Sequence, residues 1–190
     1  MLTQLSTVKT RLQLPDTTYD DILAAAIAAF SERFDRECNR KFARQENAVE
    51  EFPADQLEIC PACWPIESVA SFDIKSNETD GWQTVTSAPS YLMRNACVIS
   101  LTSPLGWRHQ QARVTYTAGY VLPGATPGAG QTALPADIEQ ACIDQVAYWF
   151  LNRTTPGLIS VTVTSGAHVQ TIDLLPSVAA VLQKYQRMTL

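Results

Sequence analysis

Cys60-Pro61-Ala62-Cys63 has the spacing of a dithiol redox pair, a motif that lowers the pKa of its first thiol where it opens a helix. Here Pro65 follows almost at once and no strand-helix-strand pattern surrounds the pair, so the two read as ordinary strand-edge cysteines. The same pair would make half of a zinc site, but a second ligand pair of comparable spacing is missing, and His109 and His168 are solitary. A serine hydrolase would need a Gly-x-Ser-x-Gly elbow and a base. The elbow is absent, and two histidines leave few candidates for the base. Gly124, Gly128 and Gly130 sit among prolines with no Lys-Thr after them, which is not a phosphate-cradling loop, and no dinucleotide fingerprint occurs. No catalytic residue, cofactor site or metal site is assigned, and the chain reads as a non-enzyme.

What remains are residues suited to contact. Arg33, Arg36, Arg40, Lys41 and Arg44 make the one local basic cluster, a solvated face or a partner surface. Trp64, Trp82, Trp107 and Trp149 are candidate anchors for a neighbouring protein. The net charge of −5 argues against a dominant basic face gripping phosphates. Of the five cysteines, Cys38 and Cys142 fall on apolar helical stripes as small buried hydrophobes, so a secreted disulfide scaffold is not indicated. The opening Met1-Leu2-Thr3-Gln4-Leu5 has neither the charged start nor the apolar run of a leader, and no apolar stretch approaches the ~20 residues of a membrane span. The chain reads as made in the cytoplasm.

The elements that must position these residues follow from hydrophobic period. Leu5, Val8 and Leu12 predict a short helix over 4–12. Thr18, with Asp21 three residues on, predicts a capping box opening a long helix over about 19–38. Its buried stripe is Ile22, Leu23, Ala26, Ile27, Phe30, Phe34 and Cys38, and Asn39 stops it. The period then changes to two. Runs at 42–52, 57–60, 66–74, 82–85, 91–93, 97–101 and 112–120, separated by prolines and Asp80-Gly81, predict an antiparallel sheet or small barrel. The stretch 121–133 carries two prolines and three glycines and is expected as a flexible loop. A second long helix opens at Pro135, with Ile138, Ala141, Cys142, Gln145, Val146, Trp149 and Phe150 inward. A hairpin over 158–173 and a last helix from Pro176 carrying Val178, Val181, Leu182 and Tyr185 complete the pattern, with Lys184 and Arg187 near that helix's C-terminal end.

The order of these motifs resembles the head-to-tail connector (adaptor, or head completion) proteins of tailed bacteriophages. The resemblance rests on Leu5-x-x-Val8-Lys9-x-x-Leu12, Asp20-Asp21-Ile22-Leu23, Asn39-Arg40-Lys41-Phe42, Trp64-Pro65-Ile66 with Val69, the strand Val114 through Tyr120, Leu134-Pro135-Ala136-Asp137-Ile138, and Leu175-Pro176 with Val178, Leu182 and Tyr185. It spans nearly the whole chain. The extended strand region at 76–91 and the loop at 121–133 depart from shorter members.

The resemblance implies a ring, usually of about twelve copies, beneath the portal of a filled capsid in the virion neck, with genomic DNA passing through without sequence-specific binding. Portal protein on one side and a stopper or tail-completion protein on the other are the implied partners. The fold expected is α+β: a small helical bundle (1–42 and 134–153), a β-rich insertion (43–120), the loop, the hairpin, and a C-terminal helix and tail (174–190), all as one connector domain over 1–190. Portal or neighbour contacts are assigned to Arg36, Arg40, Lys41, Tyr185, Arg187 and Leu190. A free monomer that rings only on the portal, with 121–133 and 186–190 ordering on docking, is the expected pathway. The alternatives are a stopper or tail-completion protein and, in a different class, a thiol oxidoreductase using Cys60 and Cys63.

Overall fold

The structure is a computed structural model that describes residues 1–153 and 174–187. The expected hairpin at 158–173, with His168, and the expected contact residue Leu190 lie outside the described residues. The chain divides into two compact units. One is helical, Met1–Cys38 with Leu134–Gln186; the other is built of strands, Asn39–Ala133, and takes in Arg187. The class is α+β, as the change of period implies.

In the helical unit, α1 (Leu5–Leu12), α2 (Asp20–Glu37) and α4 (Pro176–Gln183) all pack against α3 (Ala136–Leu151). The capping box expected at Thr18 is not formed. Tyr19 holds the N-cap position without a side-chain bond, while the Asp16 carboxylate accepts the Thr18 N–H at 3.3 Å in the turn before the helix. Asp20 and Asp21 still occupy the first turn, where the dipole favours anions, and Lys9 pairs with Asp20 at 2.6 Å. Asn39 follows the C-cap with φ 48°, the left-handed stop its residue type favours. Leu23, Ala26, Ile27, Phe34 and Cys38 are buried as expected, but Ile22 is 46% exposed. At the helix start its position turns just past the edge of the stripe.

On α3 the expected Ile138, Ala141, Cys142, Gln145, Val146 and Phe150 are buried, joined by Ile143 and Ala147, so the helix is apolar around most of its circumference. That suits an element with three helical neighbours. Gln145 is 1% exposed and its Oε1 accepts the Leu175 N–H at 3.0 Å, satisfying a backbone donor at the N-cap of α4. Helix α4 is shorter than its apolar spacing suggests. It buries Val178 and Leu182 and ends at Gln183, so Tyr185 and Arg187 lie past it and not on its last turn. Tyr185 donates its hydroxyl to Asp137 at 2.8 Å.

The strand unit holds two antiparallel sheets over a shared core. One sheet has the order β1 (Gln45–Pro53), β7 (Gln111–Ala118), β3 (Ile66–Lys75), β4 (Trp82–Thr84); the other has β2 (Glu58–Ile59), β6 (Val98–Leu101), β5 (Tyr91–Arg94). Along β7 the alternation is regular: Ala112, Val114, Tyr116 and Ala118 point inward and are all buried. Phe52, Phe72, Ile59, Ile99 and Leu101 meet them from the other strands. Each such large apolar side chain contributes about 1.5–3 kcal/mol by leaving water.

A separate two-stranded sheet in this unit is parallel. Directly after β7, β8 (Tyr120–Val121) pairs in parallel with β9 (Thr132–Ala133). A two-residue ladder leaves no periodic trace in sequence, so this pairing was not legible. It ties both ends of the 121–133 stretch, which is therefore a closed loop between paired stems. Gly119 makes the turn between β7 and β8 with φ +106°, and a Cβ there would stand 2.7 Å from the Ala43 carbonyl oxygen.

Candidate interaction surfaces

None of the five cysteines forms a disulfide. Burial pushes the Cys60 thiol up, with Cys97 and Glu58 adding to the effect against Arg187, which is the reverse of what a redox nucleophile needs. Cys63 is buried, points its Sγ–H at the Ala43 carbonyl at 3.5 Å and gives its backbone N–H to the Tyr116 hydroxyl at 3.2 Å. Burial likewise raises the phenol of Tyr116 and pushes the Cys142 thiol up to about 12. The Cys-x-x-Cys segment is thus a packed strand edge. Among the described residues no His/Cys/Asp/Glu group could hold a metal ion.

The basic cluster separates into distinct environments. Arg36 and Lys41 are exposed. Arg33 pairs with Glu37 one turn away. Arg40 is 2% exposed: its guanidinium lies over the Trp64 ring at 3.1 Å, with the Phe42 and Tyr120 rings at 4.6 and 5.4 Å, and it donates to the Trp64 carbonyl. Arg44 grips Glu67 through Nε and Nη2 at 2.9 Å each and Glu46 through Nη1 at 2.7 Å. The Glu67 and Glu46 carboxylates raise the Arg44 pKa, the Glu67 hydrogen bond most. Arg187 reaches Glu50 at 2.7 Å and the Cys60 carbonyl at 2.8 Å, fastening the chain's last described residue onto β1 and the segment after β2. Of the contact residues expected from sequence, Arg36 and Tyr185 belong to the helical unit and Arg40, Lys41 and Arg187 to the strand unit.

Of the four tryptophans, Trp107 is 74% exposed and Trp149 is 37% exposed with Phe30 edge-on at 6.4 Å, whereas Trp82 is covered by Arg113 and Trp64 by Arg40. Sequence reasoning missed the large apolar residues left open on the strands. All of β5 is exposed, with Tyr91 36%, Leu92 67% and Met93 45% open, and Val49 and Leu57 are open on β1 and beside β2. The available signal was a run of three large apolar residues in a segment without acidic side chains.

The head completion protein family matches residues 1–188. The chain belongs to that family. A head completion protein is a structural virion component. A search of curated proteins finds no match. Two solved structures share the fold of this head completion protein. One comes from the neck of an empty gene transfer agent particle computed with C6 symmetry: 14% identity, 98% of this chain and 90% of that chain covered, TM-score 0.59. The other comes from the virion of a native gene transfer agent particle, with 14% identity, the same coverages and a TM-score of 0.57. No helix among the described residues is long and apolar enough to cross a membrane.

Proposed function

We propose that this head completion protein is the adaptor of a virion neck: copies form a ring beneath the portal, join head to tail and extend the DNA conduit. The observation that carries this reading is the family match over residues 1–188, nearly the whole chain. The neck of a gene transfer agent particle holding a chain of the same fold, in a reconstruction with C6 symmetry, supports cyclic assembly. Cyclic assembly needs each copy to keep two unlike surfaces for its neighbours. The apolar surface left open on β5, β1 and α3 is available for that, and a net charge of −5 favours a channel along which DNA slides instead of sticking.

Both units work together as one connector domain, with portal on one side and a stopper or tail-completion protein on the other. Arg36 and Lys41, which are exposed, and the C-terminal segment after Tyr185 are assigned to those contacts. The test is to mix purified protein with portal and image it in negative stain. A closed ring seated on portal supports the adaptor reading, while binding to tail tube alone would transfer the protein to the stopper or tail-completion class.

A further inference from the structure

Carboxylates are unevenly spread along this chain. Of its 19 Asp and Glu residues, none falls between Asp80 and Asp137, and the only Lys or Arg residues in that interval are Arg94, Arg108 and Arg113. Arg94 is ion-paired with Glu58 and Arg113 with Asp73. The stretch 121–133 is the extreme of the pattern, with no charged and no aromatic residue. It is in solvent all the same: residues 124–130 are exposed.

The loop is built and not slack. The β8–β9 ladder joins its stems, and the Ala125 N–H donates to the Leu122 carbonyl at 3.2 Å. Gln131 closes the far turn twice, its N–H donating to the Gly128 carbonyl at 3.1 Å and its Oε1 accepting the Gly128 N–H at 2.9 Å. That turn stands clear: a Cβ on Gly130 would meet nothing within 4 Å, and the three nearest atoms to one on Gly128 all belong to Gln131.

Such a surface is poorly equipped to hold a partner. Protein interfaces are anchored by Trp, Tyr and Arg, and phosphates by Lys and Arg; the loop has none of the four. What it offers is a fixed, exposed face that neither repels a polyanion through carboxylates nor gains salt-dependent affinity for it. Those are the two demands that moving DNA makes on the wall of a conduit.

We infer that the 122–131 loop is the part of each copy that faces the duplex in the channel, an uncharged guide past which the phosphate backbone slides. The inference rests on the adaptor reading and adds to it the element that meets DNA. The turn at 76–81, where Glu78 and Asp80 are exposed, is kept off that wall by the same electrostatics.

The test puts the photoreactive residue benzoylphenylalanine in place of Thr126, of Ala129 and, as the contrast, of Thr79, in full-length protein assembled into DNA-filled particles. After irradiation, adducts are read as protein that stays with DNA on a denaturing gel. Positions 126 and 129 are expected to give DNA adducts severalfold above position 79, and to lose them in particles emptied of DNA. Ala125→Lys frees the claim from the bulky probe. It adds one phosphate contact per copy, so DNA ejection should slow and recover as salt rises, while Ala125→Gln leaves ejection unchanged. Adducts with protein alone, equal DNA adducts at all three positions, or ejection unmoved by Ala125→Lys overturns the inference. Particles that never take up the wild-type protein overturn the adaptor reading, and the inference with it.

Discussion

Arg40 shows how a single residue is readable in type but not in place. As part of a basic cluster, Arg40 looks like a surface cation; the structure buries it between Trp64, Phe42 and Tyr120, aromatics that come from three separate stretches of chain. Arg40→Ala should therefore cost about 2 kcal/mol of stability in urea unfolding, through lost stacking and packing, before any effect on binding is considered. Gly119→Ala places a methyl against the Ala43 carbonyl and the Arg44 Cα in a left-handed conformation, and should cost about 2–3 kcal/mol by the same measurement. The thiols give the opposite expectation. Cys60→Ser with Cys63→Ser should leave portal binding unchanged, and alkylation of Cys60 by iodoacetamide should be slow at neutral pH because burial raises that thiol. Loss of an enzymatic turnover in that double variant would revive the oxidoreductase alternative.

At the scale of elements, the period of the hydrophobic residues located four helices and seven strands of the described chain close to their observed bounds. Where it failed, a competing local bond or a tertiary partner had displaced the simple rule. The Thr18 cap gave way to an Asp16 turn, α4 stopped short of Tyr185, and the parallel β8–β9 pair depends on a closure no local pattern encodes. The join between β3, β4 and β7 is also invisible in sequence. Asp73, 5% exposed, accepts the Thr84 hydroxyl at 2.7 Å and the Arg113 guanidinium at 2.8 Å from the strands on either side. The Thr84 hydroxyl and then Arg113 hold its carboxyl below the usual range against the opposing effect of burial. With the native pKa below the unfolded value of about 3.9, this contribution is complete above that value and is lost as pH falls through the native one. Asp73→Ala should cost about 2–3 kcal/mol at pH 7 and flatten the acid limb of stability against pH, measured by thermal melts from pH 2 to 7. In the helical unit, Gln145→Leu keeps the volume but strands the Leu175 N–H, and should cost about 1–3 kcal/mol.

At the scale of the whole molecule, the order of motifs along the chain was enough to reach the family, because a connector's role is written in where its elements fall and not in a reactive group. The contact residues were not legible in the same way. Charge clusters mark solvated or internally paired groups as readily as interfaces, and Arg44, Arg40 and Arg187 all turned out to have intramolecular partners. Exposed apolar strand residues such as Leu92 become informative only when the sheet order shows that their strand is an edge. The most direct test of the central claim is electron cryomicroscopy of this protein mixed with its portal. The account predicts a closed ring of copies seated on the portal with an open central channel; portal particles bare of the protein at saturating concentration would contradict it.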